Sequence, residues 1–211
     1  MIEYAVKYHG KLTTALLEHI EIVGITLVLS VILASALTIA AMYWRRCQNV
    51  LINLFSVIYS IPSLALFAIM IPVTGLGRNT AIIVLVAYNQ YLLLRNFIAG
   101  LNQVDDAVIE AAVGMGFTPM QVLFQVRLPL SKKPLFTGVH LAVVSTIGIA
   151  TIAATINAGG VGKILLDGLR TMNVNKILWG SLLSAGLAIV VNAVLSWVEK
   201  RCGISKYANN E

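Results

Sequence analysis

Long apolar runs separated by short polar segments dominate this sequence of 211 residues. A helix rises 1.5 Å per residue, so roughly 20 apolar residues cross the hydrocarbon layer of a bilayer, which is about 30 Å thick. Runs of about that length or longer occupy residues 22–44, 50–77, 80–99, 134–157 and 177–197. The pattern predicts an all-α integral membrane protein with about five transmembrane helices.

The chain ends are more polar than the runs between them. Residues 1–21 carry five charged side chains among apolar ones, which predicts an amphipathic extracytoplasmic segment. A cleavable signal peptide is not expected, because its apolar core would be only about 7–15 residues long. Residues 22–200 then form one transmembrane domain, and residues 201–211 a short cytosolic tail.

The second apolar run is interrupted by Pro62, which removes a backbone donor and bends a helix. A simple kink is one reading. The other is a break that lines a solute path, with Tyr59, Ser60 and Ser63 as its polar flank.

Polar side chains also occur near the middle of the third run and in the second half of the fourth. The candidates are Tyr88, Asn89 and Tyr91 in the third, and Thr151, Thr155 and Asn157 in or at the end of the fourth. Intramembrane polar groups need partners. These residues therefore have two interpretations, a packing network and the polar lining of a solute path. The threonine hydroxyls have a further alternative, which is bonding back to their own helix.

Composition and charge agree with a membrane protein. Only 11% of residues are charged and the mean hydropathy is +0.86, whereas soluble domains carry about 25% charge. The net charge of +6 does not predict nucleic-acid binding, because Lys and Arg stand singly at the ends of apolar runs. If the 100–133 loop is cytosolic, the positive-inside rule places the N-terminus outside and the C-terminus inside, and Arg95 is expected to snorkel to the interface.

The sequence contains no pattern typical of an enzyme or a metal site. The three histidines are scattered, so no metal site is predicted. Cys47 and Cys202 are both expected on the cytosolic side as reduced thiols. The Gly-rich stretch 159–163 lacks the spacing and the Ser or Thr of a phosphate-binding loop.

Residues 100–133 form the longest polar interruption and have helical character of their own. Asp105, Asp106 and Glu110 are favourable in the first turns of a helix, and two following glycines should end it. A second short helix is predicted from Pro119 to Arg127, with Pro129 stopping it. The segment is either a plain loop or a surface on which a soluble partner docks.

The spacing within this loop resembles the EAA motif of permease subunits of binding-protein-dependent ATP-binding-cassette importers. The matching residues are Glu110, Ala111, Ala112, Gly116, Leu128 and Pro129, while Val126 replaces the usual Ile. The resemblance implies a type I importer permease fold in which these residues, with Gly114 and Phe117, couple the chain to an ATPase.

The same resemblance implies a set of partners in a bacterial cytoplasmic membrane. These are two copies of an ATPase subunit, which would hold ATP and Mg, a second permease subunit and a separate extracytoplasmic binding protein. The chain itself would be a non-catalytic subunit without a cofactor.

Three further stretches look like the osmoprotectant branch of these importers, which carries glycine betaine, carnitine, choline and related quaternary amines. They are residues 60–66, 110–119 and 156–162. An amino acid or another small zwitterion is the alternative substrate. A membrane scaffold or receptor that only recruits a cytosolic partner is the alternative from a different class.

Overall fold

The computed structural model describes residues 2–201, and within that range the chain is helical, with no β-strand. The elements are α1 (Ile2–Tyr43), α2 (Arg45–Ser60), α3 (Ser63–Thr74), α4 (Arg78–Asn102), α5 (Asp106–Gly114), α6 (Pro119–Gln121), a π-helical segment (Val122–Arg127), α7 (Leu128–Leu130), α8 (Lys132–Ile152), a 3₁₀ turn (Ala153–Ile156), α9 (Gly162–Arg170) and α10 (Val174–Arg201). Most of the predicted tail, including Cys202, lies outside the described residues.

Within residues 2–201, four helical stretches are long and apolar enough to cross a membrane: α1, α4, α8 with its 3₁₀ turn, and α10. The bent pair of α2 and α3 makes a fifth crossing if it counts as one span. The prediction of an all-α membrane protein with about five spans is therefore confirmed.

The predicted boundary at residue 21 is not a structural boundary. α1 passes through it without interruption, and its one departure from helical geometry is at Tyr8 (φ −117°, ψ 19°). Leu12, Ala15 and His19 are buried on one face of this first part, so packing keeps it helical despite its charges. At 1.5 Å per residue α1 is about 63 Å long, so part of it projects beyond the hydrocarbon layer.

At Pro62 the chain breaks rather than kinks, because α2 and α3 meet at 98°. Ile61 and Pro62 both have extended backbone between the two helices. The Tyr88 hydroxyl on α4 donates a hydrogen bond to the Ile61 carbonyl. A neighbouring helix thereby satisfies a backbone group that lipid could not.

α8, the span rich in small residues, packs against α1, α4 and α10. The central position predicted for this span is confirmed. Its closest approaches to α4 are at glycines: a Cβ on Gly138 would lie 2.9 Å from Asn96 Cβ, and one on Gly100 would lie 2.5 Å from Pro134 Cγ. Such contacts drive helix association in lipid, where the hydrophobic effect between helices is lost.

Replacing Gly100 by Ala should therefore destabilise the α4–α8 pair. The added methyl group meets a rigid proline ring, and overpacking of this kind costs about 1–3 kcal/mol. The measurement is the thermal unfolding midpoint of the purified protein in detergent. Gly148→Ala on α8 is the control, because nothing lies within 4 Å of its new Cβ. Equal midpoints for the two variants would contradict the close packing.

Candidate functional sites: the coupling segment and the path residues

Residues 105–130, here called the coupling segment, fold as two short helical stretches joined by a tight turn. Asp105 caps α5 by accepting a hydrogen bond from the Ala107 N–H at 2.9 Å. Ala112 is buried on the inner side of α5, whereas Glu110 and Ala111 are exposed. The carboxylate and the small side chain are thus free to meet another protein.

The turn after α5 has the hydrogen bonds of a Schellman motif. The Phe117 N–H donates to the Ala112 carbonyl at 3.1 Å, and the Gly116 N–H donates to the Val113 carbonyl at 2.9 Å. Gly116 has φ +86°, a conformation that glycine adopts with little cost. The predicted helix end at Gly114 and turn at Gly116 are confirmed.

The second stretch begins with a capping box. The Thr118 N–H donates to Gln121 Oε1 at 2.8 Å, and the Gln121 N–H donates to Thr118 Oγ1 at 3.4 Å. This arrangement satisfies donors at the helix start and holds the direction in which the chain leaves the turn.

The prediction that Pro129 stops this helix is wrong. α6 continues through a π-helical segment into α7, in which Pro129 is an early residue, and α8 begins at Lys132. Proline in an α-helix clashes with the carbonyl four residues earlier. The wider π turns just before it, closed by the Leu128 N–H to the Leu123 carbonyl, relieve that constraint.

Two hydrogen bonds connect Arg127 of the coupling segment and the following Ser131 to the end of α4. Arg127 donates to the Leu101 carbonyl at 2.7 Å, and the Ser131 hydroxyl donates to the Gly100 carbonyl at 2.7 Å. Both acceptors are carbonyls in the last turn of α4, where few intrahelical donors remain; the Gly100 carbonyl also accepts from the Gln103 N–H at 3.3 Å. The two side-chain bonds attach this part of the chain to α4.

The outer side of the coupling segment is unusually apolar for a polar loop. Several apolar side chains of the segment are exposed: Val108, Val113, Met115, Met120, Phe124, Leu128 and Leu130. Contiguous exposed apolar surface marks interaction sites on proteins. The segment thus combines exposed apolar side chains with the exposed carboxylates of Asp105, Asp106 and Glu110.

Among the predicted path residues, the structure brings the three tyrosines together. The rings of Tyr59 and Tyr88 are edge to face with centroids 5.7 Å apart, and those of Tyr59 and Tyr91 are tilted by 34° with centroids 5.0 Å apart. Pro62 and Ser63 lie at the adjacent helix break. The aromatic cluster therefore adjoins the break.

Asn89 belongs to a closed hydrogen-bond network in the bundle. It is 1% exposed, and its amide group donates to Ser30 at 3.1 Å and to Thr146 at 2.8 Å. Thr146 Oγ1 lies 3.1 Å from the Asn89 carbonyl oxygen. In this conformation Asn89 ties α1, α4 and α8 together.

The remaining path residues are bonded locally or exposed. The hydroxyls of Ser60, Thr151 and Thr155 bond back to carbonyls of their own helices at 2.6–2.8 Å. Asn157 is exposed and has φ +63° at the end of the 3₁₀ turn. An apolar cluster that includes Tyr88, Phe67, Ala153 and Ile156 joins the tyrosines to this turn.

Sequence reasoning missed the contacts of the glycine-rich loop with α1. Glu18 accepts a hydrogen bond from the Gly160 N–H at 2.9 Å and lies 3.7 Å from Lys163 Nζ. A Cβ on Gly160 would lie 2.7 Å from His19 Nδ1, so the glycine allows close approach. The Gly-Gly pair was the signal in the sequence, but nothing there identified α1 as its partner.

The short helix expected after this loop is present as α9. It is fixed to the start of α10, where Lys176 Nζ donates to Asp167 Oδ2 at 2.6 Å. This hydrogen bond and the positive charge lower the pKa of the Asp167 carboxyl.

Substitution of Gly116 by Ala should open the turn of the coupling segment. A side chain in the left-handed conformation costs about 1–2 kcal/mol, or roughly tenfold in a local opening equilibrium. Hydrogen–deuterium exchange of the α5 amides should therefore accelerate about tenfold. Gly114→Ala is the control, since Gly114 ends α5 at negative φ with nothing within 4 Å. It should leave exchange unchanged or slow it, and equal acceleration in both variants would refute the role of the turn.

The comparison with known proteins covers nearly the whole described chain. The family described as "Binding-protein-dependent transport system inner membrane component" matches residues 14–202. Choline transport system permease protein OpuBB of Bacillus subtilis is 32% identical over 192 residues, which is 91% of this chain and 88% of that protein. Carnitine transport permease protein OpuCD of Listeria monocytogenes is 34% identical over 157 residues, 74% and 70% of the two chains.

A solved structure shares the fold. The MetNI methionine transporter in an inward-facing form superimposes with a TM-score of 0.82 at 20% identity, covering 93% of this chain and 98% of the other. Permeases of this family are the membrane subunits of ATP-binding-cassette importers, and other subunits hydrolyse ATP and bind the substrate. The resemblance found in the coupling segment is therefore confirmed: this chain is a multi-pass cytoplasmic-membrane protein that belongs to the family of binding-protein-dependent transport system inner membrane components.

Proposed function

We propose that this chain forms the translocation pathway of an ATP-driven importer for a quaternary-amine osmoprotectant such as glycine betaine, carnitine or choline. The observation that carries the proposal is similarity over most of the chain to permeases named for carnitine and choline transport. The substrate would be delivered by a separate extracytoplasmic binding protein.

In the assembly we propose, two permease subunits, identical or related, stand on two ATPase subunits. The N-terminus lies outside and the C-terminus inside, which puts the coupling segment on the cytosolic face. ATP and Mg are held by the ATPase subunits and not by this chain. Within the described residues, no three His, Cys, Asp or Glu side chains are grouped as a metal site.

The coupling segment is the proposed entry point for energy. Closure of the ATPase dimer on ATP would bring two coupling segments together and turn the pathway from inward-open to outward-open, and hydrolysis would reverse this. Changing the ratio of outward-open to inward-open transporters from 1:99 to 99:1 requires the nucleotide-bound ATPase to favour the outward-open state by about 5.5 kcal/mol. Four features of the segment suit docking on the ATPase subunit: the exposed Glu110, the adjacent small residues, the turn at Gly116 and the bonds to α4.

An importer for an amino acid or another small zwitterion is the second candidate, since the fold is shared with a methionine transporter. A scaffold or receptor without transport remains the remote alternative. It would have no need for a helix break with tyrosines beside it.

Reconstituted uptake separates these functions. Proteoliposomes that contain the permease, its ATPase and its binding protein should accumulate labelled glycine betaine, carnitine or choline only when ATP is present. Accumulation of amino acids but of no quaternary amine would favour the second candidate. Uptake without ATP would indicate a channel, and no uptake of either class would favour the scaffold.

Coupling is tested by Glu110→Lys and by Gly116→Asp. Loss of a charged hydrogen bond at the docking face costs about 1.5–3 kcal/mol, so uptake should fall roughly tenfold or more while basal ATP hydrolysis persists without stimulation by substrate. Glu3→Lys makes the same charge change at an exposed site in the first turn of α1, outside the coupling segment. It should leave uptake unchanged. Normal substrate-stimulated hydrolysis in both coupling variants would refute the docking role.

A further inference from the structure

Arg95 lies in the C-terminal half of α4. α4 has 25 residues from Arg78 to Asn102 and is about 37 Å long, so Arg95 stands only about 7 Å from the middle of a centred 30 Å layer. Side chains on a helix lean toward its N-terminus. The Arg95 guanidinium accordingly turns back toward the N-terminal end of α4 and donates to the Tyr91 hydroxyl at 2.8 Å.

Arg95 keeps donors available for another group. Its side chain is exposed, and within residues 2–201 the bond to Tyr91 is the only hydrogen bond it is recorded to make. A guanidinium has five N–H donors. Charged side chains at this depth face a water-filled cavity or another subunit, because lipid cannot solvate them.

Aromatic surface lies directly beside this guanidinium. The Arg95 guanidinium carbon is 5.9 Å from the centroid of the Tyr91 ring, which contacts Tyr59. At 5.0 Å between centroids, the Tyr59 and Tyr91 rings touch, so a cation would lie against a ring face turned away from this contact and not between the rings. Tyr88, held by the Ile61 carbonyl, packs its ring against Tyr59 and limits its movement.

This arrangement distinguishes between classes of quaternary amine. The aromatic faces attract a trimethylammonium group, but the nearby guanidinium repels a bare cation. A molecule that also carries a carboxylate gains a charge-assisted bond to the same guanidinium. The two features together suit a zwitterion, such as glycine betaine or carnitine, better than choline.

We propose that Tyr59, Tyr91 and Arg95 form a transit site for zwitterionic quaternary amines, with the trimethylammonium group on the tyrosine rings and the carboxylate on Arg95. The site rests on the proposed function and narrows its substrate class. It selects within the membrane, independently of the binding protein.

The test measures binding to the permease–ATPase complex in nanodiscs without the binding protein. Tritiated glycine betaine should bind saturably, and choline should compete about tenfold less well than unlabelled glycine betaine, as expected for one charge-assisted bond. Arg95→Gln should reduce that preference to about twofold or less. Arg170→Gln, which removes an exposed positive charge at the end of α9, should leave it unchanged.

Two further variants test the aromatic half and guard against misfolding. Tyr59→Leu should weaken binding of both ligands, whereas Tyr59→Phe, which keeps the ring face, should not. If Arg95→Gln does not assemble, Tyr91→Phe takes its place. It removes the hydroxyl that orients the guanidinium and should lower the preference for glycine betaine over choline by about threefold.

The transit site is overturned if Arg95→Gln keeps the wild-type preference for glycine betaine over choline. The same holds for Tyr91→Phe where that variant is used in place of Arg95→Gln. The absence of saturable binding in wild type overturns the transit site as well. Binding-protein-dependent uptake of glycine betaine by the same wild-type complex would still leave the proposed function standing. Failure of that uptake with every quaternary amine overturns the proposed function itself, and the transit site with it.

Discussion

The need to satisfy every backbone polar group inside a lipid bilayer governs this structure. A helix meets that need by itself, but the chain leaves the helix at Ile61 and Pro62. The open geometry there persists because Tyr88 reaches across from α4 to the Ile61 carbonyl. An irregular backbone at this depth is tolerated only where protein or a cavity covers it, so the break and α4 have to be considered together.

α4 connects the main features of the permease. It carries the tyrosine that holds the break, the Asn89 network that joins α1 and α8, and the Arg95 group of the transit site. Its last turn accepts hydrogen bonds from Arg127 and Ser131. Closely packed helices move as rigid bodies because interiors resist gradual deformation. A push on the coupling segment would therefore reach the path through α4 without a long chain of flexible contacts.

The separation of energy input from substrate recognition follows from this arrangement. The coupling segment presents exposed apolar side chains and three exposed carboxylates, which suit a protein partner. The path presents aromatic rings and one guanidinium, which suit a small charged solute. The two are joined by the packing of α4 and by the hydrogen bonds at its end.

The sequence by itself determined the class, the spans and the coupling segment. Apolar run length reports burial in lipid directly, and the turn at Gly116 depends on local hydrogen bonds within α5 and the residues after it. Local chemistry did not predict the structure at Pro129, where π-helical turns accommodate a proline that was expected to end the helix.

Only the tertiary structure decided which polar residues meet. Tyr59 and Tyr91 are distant in sequence, yet their rings touch because α2 ends beside the middle of α4. Asn89 finds its partners on two other helices, and Gly160 finds Glu18 at the opposite end of the chain. Spacing along one helix cannot specify such contacts, because they depend on how separate helices are placed against each other.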